Sequence, residues 1–285
     1  MAVCIWSKPR LPAVKTALAV LPHNQIGGDQ MGEQRVFDGV HLRADLYGNG
    51  PNGLFVSFDH YRPDRRGFPC MAPVQTALDL GYASLVISTA ANDWFLNADL
   101  PALRAALAPM AQDYAVTRAI GFSMGGYGAL LLSDSLRLSF ATLWAPQVSI
   151  RLRVAPFETR FRRDARRLNG MADQLPLHVP RELQGVILHD PFAHPAERRH
   201  AHAIQAIAPA LQVAPLPFSG HPPTHVVMAG GQYNRLLAAA VTGTITARMV
   251  RAVHVQERWG CERYLRGLHA AFAARDARGF ALTGS

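Results

Sequence analysis

Short apolar segments alternate with amphipathic segments along most of the chain, and this alternation predicts strands and helices in turn. The predicted strands are LFVSFD (54–59), ASLVIS (83–88), VTRAIG (116–121), FATLWA (140–145), GVILHD (185–190) and LQVAPLPF (211–218). Helices are predicted near 71–80, 99–113 and 195–205, and after the glycine-rich segment that follows VTRAIG. Because strands that are apolar throughout are covered on both faces, they favour a parallel sheet. The pattern therefore predicts an α/β fold with one doubly wound, mostly parallel sheet.

Further segments extend this outline. The segment RVFDGVHLRADLY reads as two more strands ahead of the first apolar strand. Residues 146–184 exceed the length of a usual crossover and predict a small helical cap insertion, and residues 240–285 predict a helical C-terminal segment. Together these features predict a single domain over residues 1–285. The arginines of 151–167 fit either a solvated surface helix or a contact with the substrate.

The segment GNGPNG at 48–53 has the spacing of the dinucleotide-binding motif G-x-G-x-x-G. That motif requires a strand before it and a helix after it, whereas this segment contains Pro51 and runs into the predicted strand LFVSF. We therefore interpret it as a turn between strands, and we expect no cofactor.

The overall composition narrows the classes of protein to consider. Of the 285 residues 49% are hydrophobic and 17% are charged, which is typical of a protein with a substantial core. No apolar run is long enough to cross a bilayer, and the N-terminal residues lack the pattern of a signal peptide. We therefore expect a cytoplasmic protein without a membrane partner. The three cysteines are far apart and predict neither a disulfide framework nor a C-x-x-C site.

The formal net charge of +9 raises the question of a nucleic-acid partner. Of the 29 basic residues only Lys8 and Lys15 are lysines, and the arginines are spread over much of the chain. Since binding to a phosphate backbone requires a concentrated basic surface, we expect no nucleic-acid partner.

The segment AIGFSMGGYGALLL, residues 119–132, combines one serine with closely spaced glycines at a predicted strand-to-helix turn. Gly121 and Gly125 lie two residues before and two residues after Ser123, which gives the G-x-S-x-G pattern of a nucleophile elbow. A turn this tight brings backbone against backbone and leaves little room for side chains at the two glycines. We therefore predict Ser123 as a nucleophile, with the Met124 N–H as one donor to a developing oxyanion.

A serine nucleophile requires a base and a group that orients the base, and both should lie on loops at the same edge of the sheet. Asp190 ends the strand GVILHD ahead of Pro191 and is the predicted acid, although a role as a helix cap fits the same position. His221 follows the last predicted strand and is the predicted base, with His225 as the alternative. His189 lies within the strand, and we expect it to pack in the sheet.

Loops at the same edge supply the remaining candidate positions. The loop SFDHYRPDRRG predicts the backbone N–H of His60 or Tyr61 as the second oxyanion donor. In the loop TAANDWFLNADLP, Trp94 and Phe95 are predicted to wall a substrate pocket, although covering aromatic residues are common on loops. The segment HDPFAHPAERRHAH gathers several histidines but lacks an H-E-x-x-H pattern, so we expect no metal site.

With these residues the chain resembles the α/β-hydrolase superfamily over about residues 35–240. The resemblance rests on GFSMGGYGAL after a strand, HDP after the penultimate strand and SGHP after the last strand. It implies an α/β-hydrolase sheet, with Ser123 as nucleophile, His221 as base and Asp190 as acid. The chain departs from common esterases in having FDHYRP where they have an HGGG loop.

The predicted activity is hydrolysis of an ester-type bond in a small-molecule acyl substrate through an acyl-enzyme intermediate, as in a carboxylesterase. Transfer of the acyl group to an alcohol or amine would use the same residues, so a serine acyltransferase is the close alternative. A hydrolase-like fold that only binds ligands, for example acidic ones at the arginine-rich cap, is the alternative from another class. The choice of substrate depends on the geometry of the cap and loops rather than on side-chain identities alone.

Overall fold

Eight strands form the sheet of this protein. The strands are β1 (Glu33–Asp38), β2 (Leu42–Tyr47), β3 (Leu54–Phe58), β4 (Ala83–Thr89), β5 (Thr117–Phe122), β6 (Phe140–Trp144), β7 (Gln184–His189) and β8 (Leu211–Pro215). The computed structural model describes residues 33–168 and 175–283, with side chains up to residue 275. The predictions for the N-terminal residues, and parts of those for the domain, the cap insertion and the C-terminal segment, lie outside the described residues.

The order of the strands across the sheet is β1-β2-β4-β3-β5-β6-β7-β8. β2 pairs antiparallel with both β1 and β4, and the other neighbouring pairs are parallel. The chain moves from β3 outward to β4, and then from β5 outward in the other direction to β8. The prediction of a doubly wound, mostly parallel sheet is confirmed. In such sheets ligands bind beyond the carboxyl ends of the strands, where the winding direction changes.

Helices connect and flank these strands. They are α1 (Gln75–Asp79), α2 (Leu100–Gln112), α3 (Met124–Leu131), α4 (Arg162–Arg167), α5 (Leu175–His178), α6 (Ala196–Ile207), α7 (His225–Ala229), α8 (Tyr233–Thr242), α9 (Ala247–Glu257) and α10 (Glu262–Thr283). α4 and α5 belong to the long connection between β6 and β7, for which the sequence predicts a cap insertion. Within the described residues, no helix combines the length and the apolar content that crossing a bilayer requires.

The central strands bury side chains on both faces, which explains why their sequences are apolar throughout. Along β3 the side chains of Leu54, Val56 and Phe58 join one core cluster, and the side chain of Phe55 joins the other. Residues of α2, α3 and α6 cover the first face, and residues of α1, α7, α8 and α9 cover the second. Because both faces are covered, the ends of the strands are where a ligand can approach the sheet.

The glycine-rich segment 48–53 connects β2 with β3. Gly48, Gly50 and Gly53 have φ angles of 73°, 57° and 129°, a region that favours glycine. The N–H of Gly53 donates to the carbonyl of Gly50 at 3.0 Å, which closes the turn. The chain then enters β3 rather than a helix, so the interpretation of this segment as a turn is confirmed.

Candidate active site

Ser123 lies at the turn between β5 and α3, where the backbone is strained. Its φ of 51° and ψ of −116° fall outside the regions that residues with a side chain normally adopt. A Cβ atom on Gly121 would lie 2.4 Å from the carbonyl oxygen of Gly125, and one on Gly125 would lie 2.7 Å from that of Asp59. The backbone therefore approaches too closely for side chains at either position, as the spacing of the glycines predicts.

His221 and Glu197 continue from Ser123 in a line of hydrogen bonds. His221 Nε2 lies 2.9 Å from Ser123 Oγ, and His221 Nδ1 lies 2.9 Å from Glu197 Oε1. An ionised carboxylate can only accept, so His221 Nδ1 carries the proton, and Nε2 is free to accept that of the serine hydroxyl. The structure thus brings the predicted nucleophile and the predicted base within reach of proton transfer.

Asp190 does not hold His221, and this part of the prediction is wrong. Asp190 follows β7 and is 1% exposed, but its carboxylate is turned toward backbone N–H groups. Oδ1 accepts from Phe192 at 2.9 Å and from Phe218 at 3.0 Å, and Oδ2 accepts from Gly220 at 2.7 Å. Buried N–H groups in irregular segments require such acceptors. Asp190 therefore fixes the path of the backbone immediately before His221 and acts on the base only through that backbone.

Glu197, which contacts His221, lies in the first turn of α6 rather than at the end of β7, where the sequence indicates the acid. Apart from Asp190, Glu197 is the one carboxylate in the segment HDPFAHPAERRHAH. Glu197 is 2% exposed, and a buried carboxylate requires a partner. The sequence does contain this candidate, but its burial and the direction of α6 appear only in the folded chain.

A buried ion-pair network holds Glu197 from the connection between β6 and β7. Arg160 Nη1 lies 2.6 Å from Glu197 Oε1, and Arg160 Nη2 lies 2.6 Å from Glu158 Oε2. The N–H of Val148 donates to His200 Nδ1, so His200 Nε2 carries the proton and donates to Glu158 Oε2 at 2.9 Å. Residues of the connection between β6 and β7 thereby fix the position of the carboxylate that orients the base.

The electrostatics of this network keep both carboxylates ionised. Burial alone would raise the pKa of Glu197, but the hydrogen bond from His221 and the guanidinium of Arg160 lower it below its ordinary value. Burial opposes ionisation of Glu158 as well, yet His200 and Arg160 lower the pKa of Glu158 to about 2. Burial lowers the pKa of His200, so its ring stays neutral. Glu197 can therefore stabilise a positive charge that develops on His221.

Gln147 contacts the oxygen of Ser123 independently of His221. Gln147 Nε2 lies 3.1 Å from Ser123 Oγ and 3.1 Å from the carbonyl oxygen of Ala145, and Gln147 Oε1 accepts from Trp94 Nε1 at 3.1 Å. The indole N–H can only donate and the carbonyl can only accept, so the orientation of the amide follows from its two fixed partners. Gln147 Nε2 therefore donates to Ser123 Oγ, a contact for which the sequence carries no recognisable motif.

Two backbone N–H groups are available for an oxyanion near this serine. Within the described residues, the N–H groups of Met124 and Tyr61 have no acceptor. Met124 begins α3, where the first N–H groups lack partners within the helix. The loop of Tyr61 passes against α3, as the short distance from Gly125 to the Asp59 carbonyl shows. The N–H of His60 already donates to Asp59 Oδ1 at 2.8 Å, so His60 is not available as the second oxyanion donor. Of the two predicted donors, Tyr61 remains the candidate.

An internal ion pair fixes the loop that follows β3. Asp59 is fully buried, and Arg65 Nη1 lies 2.6 Å from Asp59 Oδ2. Arg65 also donates to the carbonyl oxygens of His60 and Thr89, both at 2.5 Å. Arg62 lies farther from the carboxylate, with its Nε 3.4 Å from Asp59 Oδ1. Arg65 therefore fixes the position of this loop, and its guanidinium group donates to partners inside the protein.

Trp94 and Phe95 do not wall a pocket in this structure, because both side chains are fully buried. Their φ angles of 53° and 61° turn the loop so that the two rings point into the protein. Phe95 packs edge-on against Phe58, with ring centroids 5.8 Å apart, in the core beside α3. Trp94 packs against Phe161 at 4.9 Å, and its indole N–H holds Gln147. The prediction is corrected accordingly: Trp94 supports a contact of Ser123, and Phe95 is a core residue.

His225 and His189 do not take part in the line of hydrogen bonds from Ser123 to Glu197. His225 Nδ1 lies 2.9 Å from the carbonyl oxygen of Ser219, so the alternative base is engaged elsewhere. His189 is 2% exposed in the sheet, and burial lowers its pKa to about 4. Among the residues that the structure describes, no three or more His, Cys, Asp or Glu side chains are grouped so that they could hold a metal ion.

Solved structures with a similar architecture include an esterase, the protein Est1E and an O-acetyltransferase. The capsule O-acetyltransferase of Neisseria meningitidis serogroup A is 13% identical, and the match covers 77% of this chain and 96% of that chain with a TM-score of 0.51. An esterase of Pyrococcus furiosus matches at 12% identity, 79% and 99% coverage and a TM-score of 0.48. Est1E from Butyrivibrio proteoclasticus matches at 16% identity, 74% and 96% coverage and a TM-score of 0.48. No family model and no curated protein matches the sequence.

The sheet order β1-β2-β4-β3-β5-β6-β7-β8, with β2 antiparallel to its neighbours, describes the architecture that this chain shares with these solved structures. The chain has the α/β-hydrolase fold. In this fold the carboxyl ends of neighbouring strands meet at one edge of the sheet. The four side chains of the site follow successive strands there: Ser123 after β5, Gln147 after β6, Glu197 after β7 and His221 after β8.

Proposed function

We propose that this protein is a serine hydrolase that cleaves an ester-type bond in a small-molecule acyl substrate. The observation that carries the proposal is the line from Ser123 through His221 to Glu197, in which both contacts measure 2.9 Å. A hydroxyl, an imidazole and a buried carboxylate in this order activate the hydroxyl as a nucleophile. Glu197 takes the part that the sequence assigns to Asp190. A cytoplasmic location remains a prediction.

The reaction proceeds in two acyl-transfer steps. Ser123 Oγ forms a bond with the acyl carbon while His221 Nε2 accepts the hydroxyl proton, and the N–H groups of Met124 and Tyr61 stabilise the oxyanion. The bond to the leaving alcohol then breaks, and that alcohol takes the proton from His221. A water molecule gives a proton to His221 and attacks the acyl-enzyme. The acid is released, and the proton returns to Ser123.

Transfer of the acyl group to an acceptor other than water is the second candidate function. It is favoured by the match to the capsule O-acetyltransferase, although the likeness itself concerns the fold. The same Ser123 acyl-enzyme serves both outcomes, and the acceptor alone differs. Product analysis with a chromogenic acetate ester in the presence of glycerol separates them, because a transferase forms glyceryl acetate and a hydrolase forms acetic acid.

Labelling with a fluorophosphonate probe tests the nucleophile without knowledge of the substrate. We expect the wild-type protein to bind the probe covalently at Ser123 and the Ser123→Ala variant to bind none, as measured by intact-protein and peptide mass spectrometry. Ser133→Ala is the matched control, because Ser133 is a buried serine that donates to the Leu130 carbonyl, and labelling should persist in it. Absence of labelling in the wild-type protein would favour a fold that only binds ligands.

Replacing Gln147 with glutamate tests the second contact of the serine oxygen. A carboxylate still accepts from Trp94, but it cannot donate to Ser123, and its charge repels a developing alkoxide. We expect kcat for 4-nitrophenyl acetate to fall by about 10²-fold with a smaller change in KM, and the rate of fluorophosphonate labelling to fall in parallel. Trp94→Phe keeps the donor and removes its support, so a larger loss in that variant than in Gln147→Glu would contradict the assigned role.

A further inference from the structure

A cavity of about 620 Å³ lies between the cap and the loops that follow β3 and β4. Tyr61 and Asn92 contribute to it from the two loops, and Asp164 contributes the one carboxylate of its lining. Five arginines line the same cavity: Arg65, Arg160, Arg162, Arg163 and Arg167. Positive charges therefore outnumber negative charges in the lining of this cavity.

The five arginines fall into two groups according to their partners. Arg65 and Arg160 have carboxylate partners inside the protein, as described above. Arg162, Arg163 and Arg167 are exposed, and their side chains make no hydrogen bond or ion pair with the described residues. Their guanidinium groups therefore remain available to a ligand.

Asp164 offsets only part of this charge. Its side chain is 9% exposed, and burial raises its pKa while the nearby Arg167 and Arg163 lower it. One carboxylate that burial disfavours in its ionised form stands against three guanidinium groups with fixed charge. Guanidinium groups that line the same cavity repel one another, and a bound anion relieves the repulsion.

Contacts of two lining residues connect the cavity with the reactive serine. Arg160 lines the cavity and contacts Glu197, which in turn contacts His221. Tyr61 lines the cavity, and its N–H is the candidate second oxyanion donor. The ring of Tyr61 also packs against Trp94 at 6.0 Å. The lining of the cavity therefore includes a residue that contacts the acid of the site and a residue of the candidate oxyanion loop.

We propose that this cavity binds an anionic group of the acyl substrate, a phosphate or a carboxylate, and that Arg162, Arg163 and Arg167 hold it. The inference rests on the proposed function, because it names a feature of the substrate on which Ser123 acts. A guanidinium group is planar and donates paired hydrogen bonds to the oxygens of either anion, so a phosphate and a carboxylate can bind in the same way. The cap arginines thus select anionic esters or thioesters over neutral ones.

Direct binding measurements test the site without turnover and distinguish the two anions. Calorimetric titration of the Ser123→Ala protein with pyrophosphate and, separately, with succinate is expected to detect binding of at least one of them. Adding Arg163→Gln and Arg167→Gln should weaken that binding by about tenfold or more. Stronger binding of pyrophosphate identifies a phosphate-bearing substrate, and stronger binding of succinate identifies a carboxylate-bearing one. Binding of neither anion, or binding that the two substitutions leave unchanged, overturns the proposal.

A matched kinetic comparison tests the link to the substrate. The mono-4-nitrophenyl ester of glutaric acid carries a carboxylate, and 4-nitrophenyl butyrate is a neutral ester of similar length. We expect the ratio of their kcat/KM values, anionic over neutral, to fall by about tenfold in the Arg163→Gln, Arg167→Gln variant. Arg248→Gln with Arg251→Gln is the control, because it removes the same charge from exposed positions of α9, which packs on the other face of the sheet. If this ratio falls equally in the control variant, net charge causes the effect and the proposal is overturned.

The two measurements separate a failure of this inference from a failure of the proposed function. If fluorophosphonate labels Ser123 but the cap substitutions change neither anion binding nor the ester ratio, the hydrolase assignment stands and the anion site is wrong. If no probe is incorporated and no ester is turned over, the proposed function fails, and the calorimetric titration alone decides whether the cavity binds anions. Anion binding that is lost with the cap arginines would then support the site on its own.

Discussion

Glu197→Ala is expected to lower kcat for 4-nitrophenyl acetate by about 10³- to 10⁴-fold with little change in KM. The substitution removes the acceptor of the His221 Nδ1 proton, so the ring is no longer held in the tautomer that accepts from Ser123. It also removes the negative charge that stabilises the imidazolium. The rate of fluorophosphonate labelling should fall in parallel with kcat, because both reactions require the activated serine. The labelling rate reports this activation without any contribution from the substrate.

Glu197→Gln separates the two contributions of this carboxylate. Arg160 Nη1 and His221 Nδ1 both contact Oε1 of Glu197, so an amide oxygen at that position can accept from both. The tautomer of His221 is then retained and only the charge is lost. We therefore expect a smaller loss of kcat in Glu197→Gln than in Glu197→Ala. A loss of equal size would show that charge, rather than the position of the ring, carries the effect.

Asp190→Asn is the control that distinguishes the two carboxylates. In this variant an amide group must face three backbone N–H donors, so at least one of them loses its acceptor. We expect a loss of stability of about 1 to 3 kcal/mol, measured by urea unfolding. The fall in kcat should be much smaller than the fall in Glu197→Ala. A fall in kcat of about 10³-fold in Asp190→Asn, together with normal turnover in Glu197→Ala, would show that Asp190 is the acid, as the sequence indicates.

The fold could be predicted because its determinants are local. The strands that are apolar throughout, such as ASLVIS, specify a covered sheet, and the glycines around Ser123 specify a turn that only glycine permits at two positions. Both properties depend on residues within a few positions of one another. The position of His221 after the last strand follows from the same reasoning, because strand order determines which loops share an edge.

The acid and the second contact of the serine could not be predicted in this way because they depend on long-range packing. Asp190 and Glu197 both follow β7, and the structure differs from the expectation in which of them faces His221. Glu197 is held by Arg160, a residue of the connection between β6 and β7 that is distant in sequence and lies beside Glu197 only after folding. Gln147 likewise acquires its orientation from Trp94, which reaches it from the loop after β4.

Gly121→Ala is expected to destabilise the protein by about 3 kcal/mol or more. The new Cβ atom would lie 2.4 Å from the carbonyl oxygen and 2.6 Å from the carbonyl carbon of Gly125, and 2.7 Å from Cα of Gly126. These are backbone atoms, so no side-chain rotation relieves the overlap, and β5 or α3 must move. For a chain of this size the midpoint of thermal unfolding should fall by roughly 6 to 12 °C, as followed by circular dichroism.

Gly260→Ala supplies the control for this expectation, since no atom lies within 4 Å of a Cβ at that position and its φ is not positive. The extra methyl group there is expected to change stability by about 0.5 kcal/mol or less. If Gly121→Ala melts within a few degrees of the wild-type protein, the turn around Ser123 is looser than the distances indicate. The strain that presents Ser123 Oγ to His221 would then be absent, and a hydroxyl on a relaxed turn has no fixed alignment with the imidazole.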